Sequence, residues 1–479
     1  VPGTPSTTDP EWGTATLTFH SCDRMTFEWT SPNATDGSND FTPDINLTTG
    51  STDSICVYEQ EFAGCPAFAT AGPDPRTCLI PGGEYTEDLH LTNDTLWILN
   101  GAVFIGTKDN PDNTNAIFIE PGTRIIGIEE SLLGILRGAK IYAEGVPHAP
   151  IVMTGANTAS NRDTAGSSGD WGGMTINGKA PINTCETFGQ CTADGEGESG
   201  PYGGDDENDS SGVLRYVRVQ FAGFKYSDIN ELNGIAFQGV GRGTVVENVQ
   251  VHANQDDGVE FFGGTVNARN LVLTEIEDDS VDWTQGWRGR LQNVLVVHYS
   301  GNDRDIDNGI EADNLDLDND AEPRAKPWIA NATFVGNADE NGAKFREGTG
   351  VKVTNSIFTG FGTCIDIDHT ATYTNAGTPG SLTGNLTMEN TILNCTTPFV
   401  EGDEGGEPWT VQSWFEAQDG NQVVDPMLEG VFPPMDADYT TGYPLDLESF
   451  DSFFQNYDHI GAFSGAKQAW THGWTLDDY

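Results

Sequence analysis

The chain has 479 residues, of which 36% are hydrophobic and 58 are glycine, and its 73 acidic and 22 basic residues give a formal net charge of −51. This acidity argues against nucleic acid and anionic membranes as partners, because both bind positive surfaces. It favours divalent cations or a salty medium, with a solvated acidic surface that serves only solubility as the alternative. No run of eighteen apolar residues occurs, so we expect no membrane span.

The first 80 residues are rich in Thr, Ser, Pro and Asp and contain the short β-like pieces TATLTF and MTFEW. We predict a disulfide-stapled, β-rich cap or assembly arm over residues 1–80. It would protect the first rung of the repeat that follows, or pair with the edge of a neighbouring molecule. The chain starts at Val1 without a basic-then-apolar segment, so we expect that a signal peptide has been removed.

An Asn-centred pattern repeats in the second half of the chain, in VVENVQV, NARNLVL, RLQNVLV, WIANATF, KVTNSIF and TMENTIL. The first, second and fourth steps are 22, 23 and 24 residues, and the longer steps fit the same coil with an inserted loop. Such a period predicts a solenoid, and β-branched runs without a helical stripe predict that it is built of strands. We expect the repeated asparagines to stack inside the coil at a bend. They are Asn248, Asn270, Asn293, Asn331, Asn355 and Asn390.

A second column of alternating strands follows the first five Asn segments, beginning with DDGVEFFGG and DDSVDWTQG. Alternation predicts that one set of side chains points into the coil and the set between them stacks on an outer face. The inward set is Val259, Phe261, Val281, Trp283, Ile310, Ala312, Ala343, Phe345, Ile365 and Ile367. The outward set is Glu260, Asp282, Glu311, Lys344 and Asp366.

We predict an all-β chain, with the solenoid over residues 81–400, an inserted Gly-rich and acidic loop near 164–212, and a C-terminal cap over 401–479. The last region is dense in Trp409, Trp414, Trp470 and Trp474. Aromatic packing in a cap is the main interpretation, and stacking of carbohydrate on exposed Trp is the alternative.

The eight cysteines contain no Cys-x-x-Cys pair, which favours disulfides and an oxidising, extracytoplasmic location over a metal site. We expect Cys185 to pair with Cys191 and Cys364 with Cys395. The remaining four allow three connectivities, and they are Cys22, Cys56, Cys65 and Cys78.

Long segments of the chain resemble a known family. They include AEGVPHAPIVMTG, GDWGGMTINGKAPIN, GVLRYVRVQFAG, EDDSVDWTQGWRGRLQNVLV and the closing YDHIGAFSGAKQAWTHGWT. Together they resemble secreted bacterial proteins with a pectate-lyase-like, right-handed parallel β-helix, from about Leu89 to the C-terminus. The resemblance implies that fold and export, and it implies little about activity because the family is mostly uncharacterised.

Calcium is the favoured cofactor, because carboxylate oxygens recur at spacings that could surround a hard cation. Aspartates that cap turns are the alternative. DLDND and DRDID place acidic residues two apart, and two Asp pairs should stack on successive coils. The candidates are Asp303, Asp305, Asp307, Asp316, Asp318, Asp320, Asp256, Asp257, Asp278 and Asp279.

Polysaccharide cleavage is the alternative function. Stacked Glu260, Asp282 and Glu311 could serve a glycoside hydrolase, and Lys344 or Arg346 could act as the base of a lyase. Against it, Asp256-Asp257 is not followed by Gly-His-Gly, the charge repels polyanions, and Lys344 is explained as part of a salt ladder between Glu311 and Asp366.

We therefore predict a secreted, calcium-stabilised structural protein of the cell surface that self-assembles as a homo-oligomer or filament. A polysaccharide-binding or polysaccharide-cleaving protein is the second hypothesis. The structural-protein hypothesis assigns no catalytic residue.

Overall fold

The computed structural model describes residues 62, 64–128, 130–156, 166–185, 191–225, 232–298, 306–402, 405–433, 445–466 and 469–476, and the backbone of three earlier strands. The chain divides into two units, Val1–Gly64 and Cys65–Tyr479. In the first unit an antiparallel sheet joins Thr14–Phe19, Arg24–Thr30 and Asp44–Asn46, which confirms strands at TATLTF and MTFEW.

The second unit is a coil of parallel strands arranged in three ladders, here called faces 1, 2 and 3. This confirms the all-β parallel β-helix that the repeat and the resemblance predicted. Five long strands bend from face 1 into face 2. They are Gly212–Gln220, Val245–His252, Asn267–Thr274, Arg290–Val297 and Trp328–Val335.

Shorter strands complete faces 1 and 2. Face 1 also contains Leu89–Leu91, Ala116–Ile119, Lys140–Glu144, Val351–Thr354 and Leu386–Glu389. Face 2 also contains Arg124–Gly127, Ile151–Gly155, Ile357–Thr359, Ile392–Asn394 and Gln422–Val423.

Face 3 is made of short strands, and two long strands at the start of the coil, Thr77–Tyr85 and Leu96–Ile105, bend from face 2 into it. Its other members are Leu132–Ile135, Met174–Asn177, Ile235–Gln238, Val259–Phe262, Val281–Thr284, Ile310–Ala312, Asn341–Phe345, Thr363–Ile367 and Thr397–Glu401.

The remaining described elements are small. The strand Thr70–Ala71 pairs antiparallel with the start of Thr77–Tyr85, and Gly377–Thr378 pairs with Ser381–Leu382. A hairpin of Ala193–Gly195 and Gly200–Tyr202 encloses a single 3-10 turn at Glu196–Glu198. The helices are α1, Thr370–Ala376, and α2, Val411–Glu416. No helix in the described residues is long and apolar enough to cross a membrane.

The interior of the coil contains the side chains that alternation predicted. Every one of the ten inward residues is 0% exposed. Aromatic rings stack along this core, with Phe237 and Phe261 5.1 Å apart and Phe261 and Trp287 3.8 Å apart between centroids. Each such side chain contributes about 1.5–3 kcal/mol by leaving water, so the thin core is held by its continuity from rung to rung.

The Asn column lies at the bend between faces 1 and 2. All six residues have positive φ, from 49° to 59°, which asparagine tolerates better than most residues. Asn293 donates to Asn270 at 2.9 Å, which confirms stacking. The expectation of an interior position was wrong, because Asn293 also donates to Tyr457 Oη at 3.0 Å. At this corner the side chains of Asn293 and Asn331 contact the C-terminal segment, which buries them.

The C-terminal region packs in two places. Helix α2 lies against the last rungs, where Trp414 donates to Leu386 O at 3.2 Å. Residues 445–466 and 469–476, here called the C-terminal segment, instead cover outward side chains of faces 1 and 2. Trp474, 1% exposed, packs there with Val272 and Leu295. These Trp side chains are packing residues, which favours the main interpretation over carbohydrate stacking.

The disulfides Cys185–Cys191 and Cys364–Cys395 are formed as predicted, and Cys65 pairs with Cys78. Cys22 and Cys56 lie outside the described residues. The three bonds indicate an oxidising compartment. The proposed insertion contains a coil strand, Met174–Asn177, because its apolar alternation continues face 3. The described residues that follow it outside the coil, 178–185 and 191–211, are here called the excursion.

Candidate functional site

The outer side of face 3 carries the row of charged residues that the sequence predicted. The register pairs Glu260 with Asp282, Asp282 with Glu311, Glu311 with Lys344, and Lys344 with Asp366. We call these five residues the acid row. Neighbouring positions in a parallel ladder are about 4.8 Å apart, so three carboxyl groups are held closer together than they would be in an unfolded chain.

Small side chains precede the acid row on the same side of face 3. The register continues from Glu260 back through Ala236, Thr175 and Gly134. A Cβ at Gly134 would lie 2.4 Å from the ring of Phe104, so the glycine leaves room for that ring. From Gly134 onward, the first carboxyl group in this register is therefore that of Glu260.

A second group of acids lies at the bend before face 3. The Asp256-Asp257 and Asp278-Asp279 pairs stack on successive coils as predicted, and the Asp279 amide donates to Asp257 Oδ1 at 3.0 Å. Carboxylate oxygens of Asp256, Asp257 and Asp278 lie within 4.8 Å of one another. Together with the acid row, this acidic cluster could hold a metal ion.

The two acid groups meet at Asp257, whose carboxylate also lies within 4.8 Å of the carboxylates of Glu260 and Asp282. Hard cations bind such carboxylate oxygens, and several of them on fixed strands meet much of the required coordination. Asp279 Oδ1 and Asp282 Oδ1 are buried and have no hydrogen-bond partner. The donor set fits a divalent cation with oxygen ligands.

The excursion covers the start of the acid row. Asn233, which is 1% exposed, links Glu196 of the excursion to Glu260 of the acid row. Its Nδ2 donates to Glu196 Oε2 at 2.9 Å and to Glu260 Oε2 at 2.7 Å. Tyr202 from the same excursion donates to Gln285 at 2.6 Å. The excursion thus adds one more carboxyl group, that of Glu196, to an already acidic surface.

Burial and mutual repulsion perturb these carboxyl groups. Burial, followed by the charge of Asp282, raises the pKa of both Asp257 and Glu260 well above the ordinary range. Burial, followed by the charge of Glu311, does the same to the pKa of Asp279 and Asp282. At neutral pH the cluster therefore binds protons or a cation, because several adjacent buried charges are too costly.

Arg346 organises the more exposed end of the acid row. Its guanidinium contacts Asp313 through Nε at 2.8 Å and Nη2 at 3.1 Å, and the same Nη2 contacts Glu311 Oε2. Burial raises the pKa of Glu311 to about 7 although Arg346 opposes the rise. Burial, then the charge of Asp313, raises the pKa of Glu347 to about 7. Carboxyl groups that titrate near neutrality suit proton transfer.

A comparison with protein-family models agrees with this architecture. Residues 83–475 match the family model described as a pectate-lyase-like β-helix domain. The chain belongs to that family.

No curated protein matches this β-helix chain. Among solved structures, it is similar to the catalytic domain of a GH87 α-1,3-glucanase D1068A variant in complex with tetrasaccharides, at 10% identity and a TM-score of 0.28. The match covers 70% of this chain and 65% of that chain, so this chain spans less than two thirds of its length. A likeness this distant carries no inference about activity.

Other predicted site residues lie elsewhere in the β-helix. Lys344 Nζ is 3.9 Å from Asp368 Oδ2, an ion pair that the sequence did not predict. The structure does not gather Asp316, Asp318 and Asp320 into a ligand set, because they are exposed in a loop where Asp320 contacts Arg324. Asp307 is also exposed, and Asp303 and Asp305 lie outside the described residues.

Sequence reasoning missed Glu196, Asp313 and Glu347. Asp313 follows Glu311 by two positions, directly after the strand Ile310–Ala312, so the alternation could have found it. Glu196 comes from an excursion without a repeat, and the Glu347 backbone has a positive φ of 52°. Neither feature leaves a signal in the spacing.

The fold also builds a buried row of Ser280, His298 and Glu340 that no sequence motif indicated. His298 Nε2 lies 2.7 Å from Ser280 Oγ, and Nδ1 lies 2.7 Å from Glu340 Oε2. Burial acts to raise the pKa of Glu340, but the hydrogen bond from His298 opposes this and holds that pKa below its ordinary value. Ser280 is 0% exposed, so its hydroxyl presents no nucleophile to a substrate. This network ties successive rungs together.

Proposed function

We propose that the chain binds a neutral polysaccharide along the outer side of face 3 and hydrolyses it with two carboxyl groups, that of Glu311 in the acid row and that of the adjacent Asp313. The observation that carries the proposal is the placement of Glu311 and Asp313 on one guanidinium, that of Arg346. Glycoside hydrolysis commonly uses two carboxyl groups, one as an acid and one as a nucleophile or base.

The geometry favours hydrolysis over the lyase alternative. A lyase needs an uncharged base, whereas Arg346 is paired with two carboxylates and Lys344 lies near Asp368. A lyase substrate is also anionic, and a surface with a net charge of −51 repels it. A neutral sugar chain is not repelled by this charge, and its hydrolysis does not depend on an uncharged lysine or arginine base.

The roles follow from the contacts. Glu311, whose side chain is 17% exposed, would donate a proton to the glycosidic oxygen. Asp313 would act as the second carboxylate: burial raises its pKa, but its bidentate contact with Arg346 opposes that rise and favours the ionised form. Both carboxylates touch one Nη2 atom, which is compatible with the separation of about 5–5.5 Å found in retaining enzymes and too close for the inverting arrangement of about 6.5–9.5 Å.

The test is release of reducing ends from a panel of neutral glucans, mannans and xylans. Glu311→Gln and Asp313→Asn should each lower the rate at least about 100-fold, the usual contribution of a positioned acid or base. Asp316→Asn is the matched control, since that side chain is exposed in the neighbouring loop. Absence of products from every polymer with the wild-type protein would sink the hydrolase proposal, and affinity electrophoresis would then show whether binding alone survives.

A structural calcium ion at Asp257, Glu260 and Asp282 is the second part of the proposal, supported by the proximity of their oxygens and by the unpartnered Asp282 Oδ1. Calcium would relieve the repulsion within the cluster and stabilise the folded state, because it binds that state alone. Chelation should therefore lower the Tm, and added calcium should restore it. An unchanged Tm in calorimetry would contradict a bound ion, and Asp257→Asn should remove the calcium response.

A further inference from the structure

The outer side of face 3 is covered at one end. The register of the acid row continues backwards from Glu260 through Ala236 and Thr175, and both of these small side chains are buried. The hairpin of the excursion, residues 193–202, lies above them. We call it the excursion hairpin.

The tip of the excursion hairpin lies on the line of the acid row. A Cβ at Gly197 would lie 2.7 Å from Leu132 Cδ2, 3.1 Å from Leu232 Cδ2 and 3.9 Å from Thr175 Cγ2. Thr175 is 2% exposed and belongs to the register of the row. The tip is thus packed directly on the coil and leaves no room for a sugar ring beneath it.

Buried hydrogen bonds anchor the excursion hairpin to face 3. Asn177 Nδ2 donates to Ser199 O at 3.0 Å and to Gly200 O at 3.1 Å. The Glu196 amide donates to Gln238 Oε1 at 2.9 Å. Asn177 and Gln238 are fully buried, so lifting the hairpin would break hydrogen bonds that water does not compete for.

The described part of face 3 stays accessible in the other direction. The side chain of Lys344 is 28% exposed, and Asp366 beyond it is partly exposed. The register runs on from Asp366 to Val400, which is also partly exposed, and Glu401 beside it is exposed. The row therefore continues for three rungs past Glu311, a length of about 14 Å.

We infer that the excursion hairpin determines where a polysaccharide is cut, and restricts cleavage to about two sugars from a chain end. This inference rests on the proposed hydrolysis at Glu311 and Asp313. The cover reaches Glu260, which Asn233 links to Glu196 of the hairpin.

The distance along the row sets this limit. Glu260 is two rungs from Glu311, about 10 Å, and a sugar ring in a chain is about as long as one rung is high. A polymer can therefore reach the two carboxyl groups only when one of its ends lies on the covered side.

The experiment measures the sizes of the products that the wild-type protein releases from the neutral glucans, mannans and xylans, by size-exclusion chromatography and mass spectrometry. Monosaccharides and disaccharides alone should appear from the earliest time, while the remaining polymer keeps nearly its starting mass. A ladder of longer oligosaccharides with a rapid fall in polymer mass would overturn this inference and leave the hydrolase proposal standing. No product from any polymer would overturn both.

A double variant, Asn177→Ala with Gln238→Ala, removes the anchors of the excursion hairpin. It should raise the share of products longer than a disaccharide by about tenfold, because each lost hydrogen bond shifts the balance between a covered and an uncovered row several-fold. Release of small sugars should continue, since both substitutions lie in rungs before Glu260.

Asp205→Asn is the matched control, because Asp205 is exposed in the same excursion, and it should leave the product sizes unchanged. A folded double variant with the product sizes of the wild type would overturn the role of the hairpin. Should the double variant fail to fold, Gln238→Ala alone and the wild-type product sizes decide the question.

Discussion

Faces 2 and 3 belong to the same coil, yet the outer side of face 2 is covered by packed side chains and the outer side of face 3 carries acidic residues. On face 2 the outward residues Val272 and Leu295 are apolar and are covered by Trp474 and its neighbours in the C-terminal segment. On face 3 the outward residues Glu260, Asp282 and Glu311 are acidic. A strand presents alternate residues outward whatever they are, so their chemistry decides whether that side becomes core or a binding surface.

The cover on face 2 should therefore contribute to stability as a core does. Trp474→Ala should lower the free energy of unfolding by about 3–5 kcal/mol, the usual cost of emptying a buried aromatic site. Urea denaturation measures the change. Phe450→Ala is the control, because that ring is 67% exposed and its loss should cost less than about 1 kcal/mol. Equal costs for the two variants would mean that the segment is only loosely attached.

The acid row and the nearby Glu347 should destabilise the fold as pH rises, in contrast to the packed side chains of Val272, Leu295 and Trp474, which do not titrate. Glu311 and Glu347 have folded-state pKa values raised to about 7. A raised pKa gives stability that is complete below the unfolded value and is lost as pH rises through the folded value. In chelator, stability should fall by the order of 2 kcal/mol between about pH 5 and pH 8, after discounting the half-exposed Glu347.

Thermal unfolding across that range, with and without calcium, checks this expectation. Glu311→Gln should flatten the fall, and Asp318→Asn, at an exposed side chain in the neighbouring loop, should leave it unchanged. Calcium should also flatten it by replacing protons as the neutralising charge. A stability that rises towards pH 8 in chelator would contradict the buried, mutually repelling cluster.

The smallest effect concerns the bend that separates faces 1 and 2. Asn355 has a φ of 51° and an Oδ1 without a hydrogen-bond partner. Asn355→Gly should be nearly neutral, whereas Asn355→Ala should cost about 1 kcal/mol, because alanine tolerates positive φ poorly. Chemical denaturation of the two variants measures the difference. If both lose the same stability, the side chain itself matters more than the backbone angle.

Self-assembly of the chain stays a prediction. Secretion also stays a prediction, because the three disulfides indicate an oxidising compartment and no more than that. The polysaccharide hypothesis, which ranked second in the sequence analysis, gained the most support from the structure, because Arg346 contacts both Glu311 and Asp313.

The sequence by itself determined the coil. Its period and alternation placed Val281 and Trp283 inside and stacked Glu260 on Asp282, because strand geometry repeats every two residues and each rung copies the last. Only the tertiary structure decided how the outer sides are used. Glu196, His459 and Trp474 reach the coil from segments without a repeat, and their positions depend on packing between residues far apart in the chain, which no local pattern encodes.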